Sequence, residues 1–439
     1  MDGNITPFEK LSNDLTYHIR LTKGFKIWMG FLIVGLLVCG YAYTLQLKYG
    51  LGVAGIRDYV SWGLYISNFV FFVATSLIGM LISSVLGLSG IKWITPITRI
   101  AEIIAVGFAA LAGLVIVMDM GRPDRLAYVF IYGRFQSPIL WDVTVVMTYL
   151  VMSVLLLMIP LIPDMALMQK TSSYIPDWLK TVYKLLSLNW TNKPAQNAII
   201  RRCTGILLVM IIPMALAIHT VTAWLFATTL RSGWDSTLFG PYFVTGAFVS
   251  GTAAVIIAMY FFRKNYKLEH YITDKHFNLM GKLIVLVMLV YLYFNVNEFL
   301  VPGYKLKTAE AINLHDQLAG RYALMFWLVQ GGGILAPIFL VLFKAMRRPL
   351  PLMIISMAIL LGAWFKRFII VIPVQEHPYL PIQYVPYNFK YYTPTITEIA
   401  ITLFSFFLVL IIISVLAKVF PVIPVYETAK ERGIPVDNV

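Results

Sequence analysis

The stretch CTGILLVMIIPMALAIHTVTAWLFATTL, Cys203–Leu230, carries no Asp, Glu, Lys or Arg. It is long enough to cross a bilayer, which takes about 20 apolar residues. His219 stands in its second half. An ionisable side chain at membrane depth is expensive, so it faces a bundle interior or cavity and marks a pathway or a ligand. The other histidines, His18, His270, His276, His315 and His377, fall in polar connections or near span ends. That asymmetry excludes a haem held by two membrane histidines.

Similar runs recur on both sides of this stretch, at 27–47, 60–88, 100–118, 139–161, 241–262, 279–300, 321–343, 351–373 and 397–417. With 59% hydrophobic and 13% charged residues, the chain reads as membrane protein rather than as two or three soluble domains. No ten-residue alternation appears, so the spans are helices and not barrel strands. The expected fold class is all-α: a polytopic membrane protein with about ten transmembrane helices, the lipid bilayer being its first partner.

The segment 1–26 is polar, mixed in charge and unlike a cleaved signal peptide. Cys39 and Cys203 both lie on hydrophobic spans and cannot supply a disulfide framework, an iron–sulfur cluster or a zinc site. The net charge of +14 is scattered through loops, which points to membrane topology and not to nucleic acid. With the N-terminus inside, the inner segments hold about twice as many lysines and arginines as the outer loops. Both termini are therefore expected to be cytoplasmic.

The longest connection, 162–202, falls inside on this count. Within it Trp178, Leu179, Val182, Tyr183, Leu185 and Leu186 make an apolar helical face, fitting a helix on the membrane surface or a plain linker. Trp62-Gly63-Leu64-Tyr65, at the start of the second span, resembles Phe239-Gly240-Pro241-Tyr242 at the start of the sixth. A repeat of spans 2–5 by spans 6–9 follows as an expectation. The division is then a first flanking helix (27–47), a four-helix bundle (60–230) containing the linker, a second four-helix bundle (241–373), a last helix (397–417) and a cytoplasmic tail (418–439).

Placed by this topology, the polar residues of the spans gather toward the outer side. They are Asn68, Asp119, Asp142, His219, Asn295, Asn297, Glu298, Lys366, Arg367 and Glu398. Charges at helix ends commonly cap or snorkel, which gives Asp142, Glu298 and Glu398 a structural reading, and Lys366–Arg367 can pair with one of those carboxylates. Asn68 fits interhelical hydrogen bonding as well as ligand contact. At Gly121-Arg122-Pro123, glycine permits a positive φ, proline stops the helix and arginine can tie down helix-end carbonyls. A merely structural group at 219 would be a cheaper serine or threonine. In the inner half, Arg99 and Glu102 can form an i,i+3 pair, and Asp164 follows the fourth span. Glu102 is the first relay candidate for protons from the cytoplasm.

In order along these spans stand Ser61-Trp62-Gly63-Leu64-Tyr65-Ile66-Ser67-Asn68-Phe69-Val70-Phe71, Arg99-x-x-Glu102, Asp119-x-Gly121-Arg122-Pro123 and His219-Thr220-Val221-Thr222-Ala223-Trp224. Gly233-Trp234-Asp235-Ser236-Thr237, Pro241-Tyr242-Phe243-Val244 and Ser250-Gly251 follow. In this order the strings resemble the polysulfide reductase/NrfD family of quinone-interacting membrane subunits. Related branches serve in alternative complex III and in a periplasmic cytochrome c:menaquinone reductase complex. Leu77 and Leu225 replace an expected histidine and aspartate of the former, and Asp119 stands where a histidine precedes Gly-Arg-Pro, so the resemblance leans to the latter.

The resemblance implies two four-helix bundles with two flanking helices and no haem or metal in this chain. It implies a quinone, menaquinone before others, as cofactor. The implied partners are an extracytoplasmic iron–sulfur subunit with molybdopterin-type or multihaem cytochrome c subunits, in a bacterial inner membrane. Quinone chemistry moves two electrons and two protons, so a site needs an apolar cleft, donors at the ring oxygens and proton-exchanging groups. The head group is expected in the outer half of spans 2–5. His219 would bond one carbonyl and shuttle its proton, imidazole titrating near neutrality. Asp119 would exchange protons or orient His219, Asn68 would position the ring, and Tyr65 and Trp224 complete the quinone-binding set. Glu102, Asp142 and Glu298 are proton-relay candidates, and Arg122 and Arg125 have structural or docking roles. The rival readings are a membrane anchor without its own quinone site and a secondary transporter.

Overall fold

The computed structural model describes residues 6–380 and 382–436, so the tips of the expected N-terminal segment and tail lie outside the described residues. Regular structure among them is helical, and ten stretches are long and apolar enough to cross a membrane. α1 (Pro7–Thr16) precedes the first crossing, α2 (Lys23–Tyr49). α3 (Leu64–Ser76) is followed by a π-helical stretch, Met80–Leu86, and α4 (Thr95–Asp119) returns. A short α5 (Tyr128–Ile131) leads to α6 (Pro138–Thr171), α7 (Asp177–Leu186) and α8 (Pro194–Ala227). Next come α9 (Phe239–Asn265), α10 (Asp274–Lys305) and α11 (Thr308–Leu318). The eighth crossing joins α12 (Ala323–Trp327), a π stretch Leu328–Leu335 and α13 (Ala336–Leu342). α14 (Pro349–Glu376), α15 (Ile396–Val419) and α16 (Val425–Glu431) follow.

Polar content decides which helices go to the centre. Every residue of α3 is buried, because Ser67, Asn68, Thr75 and Ser76 around its circumference leave no face fit for lipid. It packs against α4, α9 and α14, so the two helices whose starts resemble each other, α3 and α9, meet in the interior. α2 buries only Leu32, Ala42 and Gln46 and turns Ile27, Phe31, Val34 and Leu37 outward. On α15, Glu398, Ile401, Thr402, Ser405 and Val409 form one buried stripe at helical spacing. Lipid offers no hydrophobic drive between helices, so close approach of small residues matters. Gly333 of the π stretch crosses Gly362 of α14 so tightly that a Cβ on Gly333 would lie 2.9 Å from the Gly362 Cα.

Several expected boundaries move. The 162–202 connection shrinks, because α6 runs through Pro160 and Pro163 to Thr171 and α8 begins at Pro194. Proline keeps a helical φ and removes one donor, which membrane helices tolerate when neighbours compensate. The N-terminal segment is not a simple polar leader. Thr6 and Glu9 form a capping box, and Phe8, Leu11 and Leu15 bury one face of α1, which packs on α6 and α16. α7 divides its apolar side, burying Leu179 and Tyr183 while Trp178 and Leu185 stay exposed.

The Thr16 hydroxyl meets Ser172 Oγ at 2.7 Å, and His18 Nε2 lies 3.1 Å from the Phe420 carbonyl. The segments that follow α1 and α15 therefore gather with the end of α6 at one face, here called the terminal face. The opposite, loop face carries the connections 50–63, 120–137, 228–238, 306–322, 377–380 and 382–395.

Candidate functional site

His219 sits on α8 with 1% of its surface exposed, and no described residue hydrogen-bonds its Nε2. The charge that acts on it belongs to Arg367 of α14. Arg367 is 2% exposed, and its Nε and Nη1 likewise have no hydrogen-bond partner among the described residues. Its guanidinium carbon lies 5.3 Å from the Phe243 ring centroid. It reaches this place because residue 246 of α9 is glycine: a Cβ there would come within 2.7 Å of Arg367 Nη2 and 3.0 Å of the Tyr291 ring.

The neighbouring cation has a different fate. Lys366 Nζ donates to Glu298 Oε2 at 2.9 Å and lies 4.4 Å from the Phe299 ring centroid. Lys366 is thus the member of the Lys366–Arg367 pair that takes a carboxylate. Buried polar atoms are rarely left without partners, and a buried charge without compensation is costly. His219 of α8 and Arg367 of α14 thus lie on two helices that flank α9, both with buried nitrogens lacking a described partner, and are taken together as one polar niche.

The remaining expected residues divide. Tyr65 and Asp119 do come together. The Tyr65 hydroxyl donates to Gln46 Oε1 at 2.6 Å, Gln46 Nε2 donates to the Met118 carbonyl at 2.6 Å, and Asp119 follows Met118. Asp119 Oδ1 is buried without a described partner, and Glu398 is the charge acting on it. This group collects at the ends of α2, α3 and α4. No hydrogen bond joins Asp119 to His219 among the described residues, so the expected orienting contact is not made: Asp119 ends α4, which packs on α3, whereas His219 lies on α8, which packs mainly on α6 and α9.

Asn68 takes a structural place instead of the expected ring-positioning one. Its Nδ2 donates to Thr402 Oγ1 and its Oδ1 accepts from Trp364 Nε1, both at 2.8 Å, tying α3 to α15 and α14. Trp224 also leaves the expected set. Five residues beyond His219, it points about 140° away around the helix, and it is 49% exposed. Asp142 is buried on α6 and accepts from the Thr222 hydroxyl at 2.6 Å. Glu298 holds Lys366. Glu398 belongs to the capping box of α15 and accepts from the Tyr392 hydroxyl at 2.7 Å and the Gly55 amide at 2.7 Å.

Toward the terminal face, Glu102 accepts from Ser83 at 3.0 Å and lies 3.8 Å from Arg99, the expected i,i+3 partner. Arg99 also binds Asp164 at 3.1 Å. At the loop face, Arg122 and Arg125 are exposed. Arg122 grips Asp124 through two bonds of 3.0 and 2.9 Å instead of tying helix-end carbonyls, and this bonding lowers the Asp124 carboxyl. Gly121 does not adopt the expected positive φ, since the extended Met120 already turns the chain out of α4.

A cavity of about 330 Å³ opens at the loop face beside α9 and α10, lined by Tyr242, Asn297, Glu298, Lys305, Lys307 and Glu310 among others. A chamber of about 30 Å³ adjoins it around Glu298, Glu310, Asn313 and Gln317. Among the described residues no group of three or more His, Cys, Asp and Glu is placed to hold a metal ion. Sequence reading noticed Lys366 and Arg367 as intramembrane charges but gave Arg367 no distinct role, and it passed over Gln46, Tyr291 and Gly246. Tyr242 lay in a quoted string without a role.

The family model described as "Polysulphide reductase, NrfD" matches residues 52–378. The chain belongs to the NrfD family. It is 32% identical over 231 residues to a Halobacterium salinarum protein named as a "Putative dimethyl sulfoxide reductase membrane subunit", the match spanning 52% of this chain and 50% of that relative. It is 24% identical to a selenate reductase subunit of Mesobacillus selenatarsenatis, over 88% of this chain and 91% of the relative. It is also 24% identical to the Hdr-like menaquinol oxidoreductase integral membrane subunit of Archaeoglobus fulgidus, over 90% and 92%. With its ten apolar helices, this NrfD-family chain is a multi-pass membrane protein.

Proposed function

We propose that the chain is the quinone-interacting membrane subunit of a respiratory oxidoreductase complex. It would exchange electrons between an extracytoplasmic iron–sulfur partner and membrane menaquinone, in an inner membrane with both termini cytoplasmic. Molybdopterin-type or multihaem cytochrome c subunits would complete the assembly. The likeness to reductase subunits and to a menaquinol oxidoreductase subunit supports this reading.

The observation that carries it is the set of buried nitrogens without a described partner, His219 Nε2 and Arg367 Nε and Nη1, with the Arg367 guanidinium beside the Phe243 ring. A quinone head group supplies what this niche lacks: carbonyl oxygens for the two donors and an apolar ring for Phe243. His219 would donate to one oxygen and exchange its proton. A guanidinium offers donors in a fixed fork and no acceptor, so Arg367 would hold and orient an oxygen. Tyr65 and Asp119 form a second polar group at the α3 and α4 ends, nearer the exposed Arg122 and Arg125, where a soluble partner would dock.

The assembled complex carrying His219→Ala should lose quinone-coupled electron transfer while retaining its subunits. Normal turnover in an assembled variant would remove the site from His219.

A further inference from the structure

Tyr242 and Tyr291 stack with ring centroids 5.2 Å apart and planes 7° from parallel, and the Tyr291 hydroxyl donates to the Tyr242 hydroxyl at 3.3 Å. At one end of this pair, Tyr291 interacts with Arg367, and both pack against Gly246. At the other end, Tyr242 lines the loop-face cavity and interacts with Glu298, which lines the same cavity. A row of hydroxyl and carboxyl oxygens thus runs from Arg367 to an open vestibule.

We infer that the niche exchanges its protons with the loop face through Tyr291, Tyr242 and Glu298, and not with the terminal face through Glu102. This rests on the quinone reading of the His219 niche. A tyrosine hydroxyl both donates and accepts, so it can receive a proton on one side and release one on the other. Each transfer breaks one O–H bond and forms another on the neighbouring oxygen, and no electron moves. Arg367, packed with Tyr291 against Gly246 and acting on His219, would link the niche to this row.

The direction of the Tyr242 hydroxyl is the switching element. It donates to Asn295 Oδ1 at 3.1 Å, with the Glu298 carboxylate as the competing acceptor. Asn295 is held in place by Gln330, which accepts from Asn295 Nδ2 at 2.7 Å and returns a longer bond of 3.4 Å. Rotation of one O–H therefore connects or disconnects the row without moving a helix. Glu298 exchanges with the cavity, whose volume of about 330 Å³ accommodates several waters.

Among the described residues Glu102 has no comparable continuation toward His219. Its described partners are Ser83 and Arg99, and Arg99 is committed to Asp164, which in turn accepts from the backbone amides of Val425 and Tyr426. That cluster fastens the C-terminal segment.

The test uses the complex purified with its own subunits, with Tyr242→Phe and Tyr291→Phe, each removing one oxygen. Tyr149→Phe, which removes a buried hydroxyl bonded to the Ser76 carbonyl, controls for the loss of any buried phenol. Turnover with an added quinol analogue and quinone content are measured for each. Both route variants should turn over about tenfold or more slowly, the scale of a lost proton-transfer group, with quinone content unchanged and Tyr149→Phe near wild type. Turnover within twofold of wild type in both route variants overturns the route while leaving the quinone site standing. A wild-type complex that binds no quinone overturns the function reading, and the route with it.

Discussion

The Thr222 hydroxyl donates to Asp142 Oδ1 at 2.6 Å and joins α8 to α6 within one turn of His219. The Ile218 carbonyl, 2.8 Å away, is the alternative acceptor for the same O–H. Thr222→Val keeps the shape and strips the buried carboxyl group of its partner. It should destabilise the protein by about 1–3 kcal/mol, the cost of an unsatisfied buried polar group, read as a lower Tm in detergent. Thr222→Ser should restore it. Equal Tm values for all three would show that the bond does not hold α8.

Asn68 is committed at both ends to Trp364 and Thr402. Asn68→Ala should therefore lower stability by about 1–3 kcal/mol yet leave quinone content as in wild type. Loss of quinone at unchanged stability would return Asn68 to the ring.

Gly246 is the opening that admits Arg367. In Gly246→Ala the new methyl group would stand 2.7 Å from Arg367 Nη2, so the guanidinium must shift. Overpacking of this kind costs about 1–3 kcal/mol, and quinone-coupled turnover should fall further than thermal stability does. Unchanged turnover would mean that the position of Arg367 is immaterial.

Asp164 binds Arg99 and the first amides of α16 from one buried carboxylate. Asp164→Ala leaves Arg99 with only the longer 3.8 Å contact to Glu102, a loss of at most about 3–5 kcal/mol, the cost of breaking a buried pair outright. Limited proteolysis should then cut the segment around α16 sooner than in wild type. Equal cutting rates would deny Asp164 this anchoring role.

His377, just beyond α14, has its Nε2 2.7 Å from Asp316 Oδ2. Burial lowers it below its ordinary 6.5, with Asp316 opposing. A histidine lowered on folding contributes stability that is present above pH 6.5 and fades as pH falls through the folded value. Wild-type Tm should drop between pH 7 and pH 5 more steeply than that of His377→Gln. Parallel profiles would contradict this.

The crossings were legible because lipid penalises every polar side chain and every unpaired backbone group, so an uncharged run such as Cys203–Leu230 has few alternatives to a helix. The depth of Asn68, Asp142 and His219 followed from the same rule, and all three are buried. Their partners were not legible. Lys366 and Arg367 are adjacent in sequence, about 100° apart around α14, and only the rotation of that helix decides which one meets Glu298. Asp119 and His219 were both expected toward the outer side, but Asp119 ends α4 and His219 lies on α8, a difference in neighbours that position within a span cannot give. The sequence signal for Arg367 was present, a charge without an obvious partner; its room at Gly246, on another helix, was not.

The most direct measurement is quinone extraction and quantification from the complex purified in mild detergent, comparing wild type with His219→Ala and Arg367→Leu. Wild type should hold near-stoichiometric quinone, and both assembled variants should lose it. Quinone retained in both would contradict the niche between His219 and Arg367.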